Sequence, residues 1–443
     1  MRISRRTSEQ KCVINQQDHD SLLPRYLLII EELQSKFEVN ERPEYAELVN
    51  FEKNKELDIH NWFYYKQGYS EELIRKILSK SNLSKDRYVL DPFCGVGTTQ
   101  AVAQKFKIKS VGLEINPIAQ FASEVKTYEY TAVDVEELKK ILANLTNRLQ
   151  VTKHIPKYQK LSNIFRHNQL EQILQIKGFY ENVEQTHLRN FFKLAYISII
   201  ETCSNRIKDG NGIKISNNKS LIEDVVEFYI KKCTRMIQDL KRKNYHAESK
   251  SIFGSILQDA IYKKLENLDI GLVVFSPPYA NCFDYCEVSK MEIWLGDFVY
   301  DYRDFDKYRE IAVRSHVNAK FNHNISNYDE KVDLIASLIG TYNVWNKNIP
   351  DMLRGYFDDM YKVISRIFNL LKVGDQCEII VANSSYKGII VPTDLLLANI
   401  AESIGFTVEQ IIAARTMRSS SQQVPELKSK KQLMRESVII LSK

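Results

Sequence analysis

Ser276-Pro277-Pro278-Tyr279 is the part of this 443-residue chain where residue types and spacing point most directly to chemistry. The serine brings a hydroxyl, the prolines sit beside carbonyls with unused lone pairs, and the tyrosine brings a ring. That set suits a planar substrate carrying an amino group. Oxygen acceptors take its two N–H bonds and the ring stacks on its face. The element that must present the set is Leu272-Val273-Val274-Phe275, an apolar run rich in β-branches that reads as a buried strand. Two successive prolines end it, because neither has an N–H to give and each fixes its own φ. The result is a stiff corner at the C-terminal end of a central strand, the end at which open α/β sheets bind ligands.

A second stretch offers a binding turn. Tyr88-Val89-Leu90 reads as a strand that runs into Asp91-Pro92-Phe93-Cys94-Gly95-Val96-Gly97-Thr98-Thr99, with a helix from Gln100 to Lys107 behind it. Glycines let the backbone approach a ligand, and the helix N-terminus offers free N–H groups. No Gly-Lys-Ser/Thr follows, so a phosphate-gripping loop is not expected, and the third glycine of a dinucleotide fingerprint is missing. The next strand, Lys109 to Leu113, ends at Glu114-Ile115-Asn116-Pro117. An acid there, about 20 residues past the glycine turn, is placed to accept the hydroxyls of a ribose. A surface glutamate is the alternative reading.

The elements around these turns follow a βαβ rhythm, interrupted twice. Residues 1–57 read as a polar extension. His60 to Tyr69 is rich in aromatics, either a core plug or a pocket wall, and Ser70 before Glu71-Glu72 reads as the N-cap of a helix. Residues 127–248 hold several helical stripes and read as a helical insertion. The rhythm resumes with a third strand expected to end at Asp259, and breaks again at 297–350, a polar second insertion. Three further strands are expected, at Cys377 to Val381, after Thr407, and at Ser437 to Leu441, with a basic loop from Arg415 to Arg435 between the last two.

The net charge is +6, but residues 131–250 alone carry 21 Lys and Arg against 13 Asp and Glu. The rest is slightly acidic, and the asymmetry hints at a polyanionic partner, with a solvated helical face as the bland alternative. No apolar run reaches membrane-spanning length and no signal core follows the basic first residues, so no membrane role and a cytoplasmic location are expected. The seven cysteines lack framework spacing, and Cys282 and Cys286 have no companions that would complete a zinc set, so no metal is expected.

These motifs resemble those of the amino-methylating DNA methyltransferases that use S-adenosyl-L-methionine. Asp91 to Thr99 is similar to their cofactor motif. Ser276-Pro277-Pro278-Tyr279 is similar to their catalytic motif in its serine form, found mostly in cytosine-N4 enzymes, whereas adenine-N6 enzymes more often carry aspartate. Asn281 with Asp284-Tyr285, and Asn383-Ser384-Ser385 followed by Val391-Pro392-Thr393-Asp394, extend the likeness. The resemblance implies a class I methyltransferase, Rossmann-like α/β fold. Its seven-stranded, mostly parallel sheet ends in an antiparallel strand, and its catalytic domain takes in residues 58–126 and 249–443. It also implies that Asp91, Gly95, Gly97 and Thr98 hold the methionine end of the cofactor and that Phe93 packs against it. Glu114 takes the ribose, Asn116 also binds the cofactor, Asp259 reaches the adenine amine, and the Trp62 to Ser70 region, with Tyr69 among its cofactor-binding residues, closes the methionine side.

Ser276, Pro277, Pro278 and Tyr279 would be catalytic, with Arg415 and Arg418 on DNA phosphates. The partners implied are double-stranded DNA and a cognate restriction endonuclease. The glycine turn precedes the catalytic motif, unlike in many serine-form enzymes, so residues 127–248 and 297–350 compete as the target-recognition region. Adenine-N6 transfer, RNA guanine-N2 transfer, protein-glutamine methylation and a silent nucleic-acid-binding protein of the same fold stay open. Cytosine-C5 chemistry does not, because no proline in the chain is followed by cysteine.

Overall fold

The computed structural model describes residues 16–156, 161–209, 212–220, 222–319, 325–327, 329–417 and 432–443. Among them an eight-stranded sheet organises the molecule. Its strands are β1 Val39–Glu41, β2 Tyr88–Asp91, β3 Lys109–Glu114, β4 Ser249–Phe253, β5 Ile270–Phe275, β6 Gln376–Ala382, β7 Thr407–Thr416 and β8 Arg435–Ser442. Side by side they run β1-β7-β8-β6-β5-β2-β3-β4. Only β8 runs against the others, antiparallel to both β6 and β7.

Period-two alternation in the central strands feeds two apolar layers. Val89, Leu272, Val274 and Ile380 join Leu73, Ile74 and Val102 on one face, from helices Glu71–Lys80 and Thr98–Lys105. Leu90, Val273, Phe275 and Ile379 join Tyr356, Ile364 and Leu396 on the other, from helices Ile349–Leu370 and Thr393–Ile404. Both β2 and β5 are buried along their whole length, as central strands covered on both faces must be. They lie adjacent and parallel, Leu90 opposite Val273, so the glycine turn and the proline corner leave the same edge of the sheet.

The sheet has one strand more than the seven expected. β1 comes from the segment read as a polar extension and pairs parallel with Ile411–Ala413. Three residues are too few to show a hydrophobic period, and the strand exists only because β7 offers it a ladder. The helix before it, Gln16–Lys36, buries Tyr26, Ile30 and Leu33 in the main core, and the Tyr26 hydroxyl donates to the Ile390 carbonyl at 3.2 Å.

Residues 127–248 contain helices Ala132–Ala143, His167–Glu181, Thr186–Cys203 and Val225–Arg242, packed around Phe179, Phe192, Tyr196 and Tyr229. Trp62 ties the aromatic stretch to them: its indole N–H donates to Asp239 at 2.9 Å and its ring meets Phe191 edge-on. Among the described residues no helix is long and apolar enough to cross a membrane.

Candidate active site

The glycine turn is organised from beneath by Asp91. Its buried carboxylate accepts from the Phe93 N–H at 3.1 Å, from the Thr99 hydroxyl at 2.7 Å and from the Tyr69 hydroxyl. Burial still pushes it up, to about 6. Gly97 has φ +77° and starts helix Thr98–Lys105; a Cβ there would lie 2.4 Å from the Ser123 hydroxyl oxygen, so only glycine fits. Gly95 has φ +51° and lines a cavity of about 620 Å³, facing the Tyr65 ring.

At the end of β3, the Glu114 carboxylate accepts three backbone N–H bonds, from Gly95 at 2.8 Å, Ile115 at 2.9 Å and Asn116 at 2.7 Å. Its burial outweighs these donors and raises it to about 7. A carboxylate has about four acceptor sites, so about one is left, on Oε2, for an incoming hydroxyl. Asn116 lines the cavity and caps helix Pro117–Thr127, its side-chain oxygen accepting from Ile118 N–H at 3.1 Å.

Ser276, Pro277, Pro278 and Tyr279 line the same cavity as Phe93, Gly95, Thr98, Glu114 and Tyr69. The Phe93 and Phe275 rings, 5.6 Å apart, pack where the two turns meet. The Ser276 hydroxyl donates to the Tyr279 oxygen at 3.3 Å, and the Tyr279 hydroxyl donates to Glu436 Oε1 at 2.5 Å. Arg415 Nε donates to Glu436 Oε2 at 2.6 Å. Burial and the Glu436 charge hold the Tyr279 phenol well above its usual range, so it keeps its proton.

Residues between Tyr308 and His316, from segment 297–350, wall the cavity beyond this corner. Arg309 Nε donates to Asp284 and its Nη2 to Glu287, each at 3.0 Å. His316 is buried, its pKa lowered by desolvation, and its Nδ1 has no hydrogen-bond partner.

Three sequence expectations need correction. Asp259 does not reach the cavity: β4 ends at Phe253, Gly254 turns the chain at φ +146°, and Asp259 opens the following helix, exposed and paired with Arg366. Ser255 lines the cavity in its place. Arg415 belongs to β7 rather than to a loop, and its Nε donates to Glu436. Asp91 and Gly97 shape the turn from behind without lining the cavity. Arg418 lies outside the described residues. Among the described residues no cluster of His, Cys, Asp and Glu is arranged to hold a metal ion.

Comparison with known proteins gives these two turns a context. The N6/N4 DNA methylase family matches residues 15–123, the stretch holding the glycine turn and Glu114. The type II methyltransferase M.BsoBI of Geobacillus stearothermophilus is 26% identical over 432 residues, covering 85% of this chain and 84% of that protein. M.AvaI of Nostoc sp. is 26% identical over 428 residues, covering 85% of each. M.MvaI of Kocuria varians is 21% identical over 412 residues, covering 84% of this chain and 86% of that protein.

Residues 15–123 are similar to the N6/N4 DNA methylases.

Several cavity residues escaped sequence reasoning: Tyr65, Ser255, Arg309, His316 and Glu436. Glu436 stands two residues before the apolar run Val438–Leu441, which marks the strand but not the role of the acid. The others sit on loops or short helices brought in from distant parts of the chain.

Proposed function

We propose that the protein is an S-adenosylmethionine-dependent methyltransferase that acts on the exocyclic amine of a base flipped out of double-stranded DNA, with cytosine N4 as its target. The observation that carries this reading is that Gly95, Glu114, Ser276 and Tyr279 line one cavity at the shared edge of β2 and β5. Serine at position 276, the form the resemblance associates with cytosine-N4 enzymes, supports cytosine. The relatives are named as type II methyltransferases, which supports a place in a restriction–modification system beside a cognate endonuclease.

The residues present fit the cofactor. Gly95 opens a cradle that a Cβ would crowd against Tyr65, Phe93 gives an apolar wall, and Glu114 keeps an acceptor for a ribose hydroxyl. Thr98, Asn116 and Tyr69 complete that end. Bound there, S-adenosylmethionine supplies an electrophilic methyl whose bond pair leaves with sulfur. The chain's part is to prepare the amine, whose lone pair is delocalised into its ring. Ser276 Oγ and the Pro277 carbonyl accept its N–H bonds and favour a tetrahedral nitrogen. Positive charge then grows on nitrogen opposite fixed acceptors, where preorganised dipoles contribute most. The lone pair forms the new bond, and one N–H proton leaves for solvent. Tyr279 holds the base by stacking, and placement in line supplies the rest. Such a corner admits only an extruded base.

Segment 297–350 reaches the cavity through Arg309 and His316, whereas no described residue of 127–248 lines it. We therefore assign contact with the flipped base to the former and leave duplex backbone to the basic helices of the latter. Methyl transfer from tritiated S-adenosylmethionine to duplex DNA, followed by digestion and nucleoside mass spectrometry, tests the reading. N4-methylcytosine is expected. N6-methyladenine keeps the chemistry and changes the base. Label confined to RNA or protein overturns the proposal.

A further inference from the structure

A serine hydroxyl can donate or accept, but to receive an amine N–H it has to accept. Something must therefore direct the Ser276 proton away from the substrate. The structure contains a candidate device at the mouth of β8. Glu436 is 2% exposed, and as a carboxylate it can only accept. Its Oε1 accepts from the Tyr279 hydroxyl at 2.5 Å, and its Oε2 accepts from Arg415 Nε at 2.6 Å. With its own proton committed, the Tyr279 oxygen presents lone pairs to Ser276, 3.3 Å away. The strand that carries Glu436 is pinned on both sides. Arg435 Nε and the Ser437 hydroxyl donate to Asp394 at 2.7 and 2.8 Å, and Asn383 donates to the same carboxylate at 2.8 Å.

We propose that Glu436 is a positioning residue for methyl transfer: held by Arg415, it orders the hydroxyls of Tyr279 and Ser276 so that Ser276 Oγ faces the target amine as an acceptor. The proposal rests on the reading of the cavity as an amino-methyltransferase site, and it assigns Arg415 to this network rather than to DNA phosphate.

Glu436→Gln separates direction from shape. Arg415 Nε–H can only donate, so the new amide must turn its oxygen to Arg415 and its NH₂ to Tyr279. The Tyr279 proton then swings to Ser276, and the Ser276 proton swings to the substrate. Removing the arginine as well, in Glu436→Gln/Arg415→Leu, frees the amide to turn its oxygen back to Tyr279.

The experiment is single-turnover methyl transfer from tritiated S-adenosylmethionine to duplex DNA by the full chain, with cofactor affinity measured by calorimetry. Glu436→Gln is expected to slow transfer about 10²-fold while its cofactor Kd stays within about twofold of wild type, because the cofactor end is untouched. The double variant is expected to be faster than Glu436→Gln alone, a recovery that a purely structural role for Glu436 would not produce. Transfer at the wild-type rate by Glu436→Gln, or a double variant no faster than the single, overturns the proposal. Should Glu436→Gln fail to fold, Tyr279→Phe removes the same link while keeping the ring; its transfer at the wild-type rate overturns the proposal equally. Wild-type protein that labels no DNA would instead overturn the functional reading itself.

Discussion

At the glycine-turn end of the cavity, Glu114 is held entirely by backbone N–H groups of residues within 20 positions of it, Gly95, Ile115 and Asn116. At the proline corner, Ser276 is joined to a chain of side chains: Tyr279 three residues on, then Glu436 from β8 and Arg415 from β7. The first end is a local device that forms once β2, its turn and β3 are in place. The second is a tertiary device that needs the far half of the sheet. A binding site for a constant ligand can be written into a short stretch of backbone. A site that must orient one reacting nitrogen draws on side chains whose protons can be directed, and these come from wherever the sheet brings strands together.

Separate construction predicts separable damage. The largest effect is expected from Ser276→Ala, which removes the acceptor proposed for the reacting nitrogen: turnover should fall by about 10²–10³-fold with cofactor affinity unchanged, read by methyl transfer and calorimetry in parallel. A matching loss of cofactor binding would show that the two ends are one unit.

Gly95→Ala attacks the other end. It forces a side chain onto φ +51° and sets a methyl 3.0 Å from the Tyr65 ring. Cofactor affinity should drop about tenfold, the equivalent of roughly 1.4 kcal/mol, and transfer at saturating cofactor should suffer much less.

A third effect is in stability against pH. Glu114 is raised from 4.5 to about 7 by burial. Between those values the unfolded chain has released the proton that the folded chain retains, so stability falls as pH rises through the window. Glu114→Gln cannot ionise, so its melting temperature should decline less than that of wild type between pH 4.5 and 7. Parallel curves for the two proteins would contradict the shift. Burial raises Asp91 too, to about 6, and its contribution should persist in the variant.

The smallest effect sharpens the boundary of the cofactor end. Asp259→Ala should leave cofactor affinity within about twofold, as expected for a surface substitution away from the site, because the acid pairs with Arg366 outside the cavity.

The same contrast explains what could be read from the amino-acid order. β2, Gly95, Gly97 and Glu114 are legible because strand, turn and acid follow one another directly. The proline corner is legible because Pro277 and Pro278 end a strand by covalent geometry. Glu436 was not, since its meaning depends on β8 lying where its side chain meets Tyr279. β1 was not, since its three residues pair only because β7 is there. Asp259 was misplaced because spacing gave a strand end where Gly254 had already turned the chain into a helix.

The most direct test of the account is a crystal structure of the protein with S-adenosylhomocysteine. The account predicts a ribose hydroxyl on Glu114 and the sulfur facing Ser276 and Pro277 across the shared cavity. A ligand lying elsewhere, or seated with its sulfur turned away from Ser276, would contradict it.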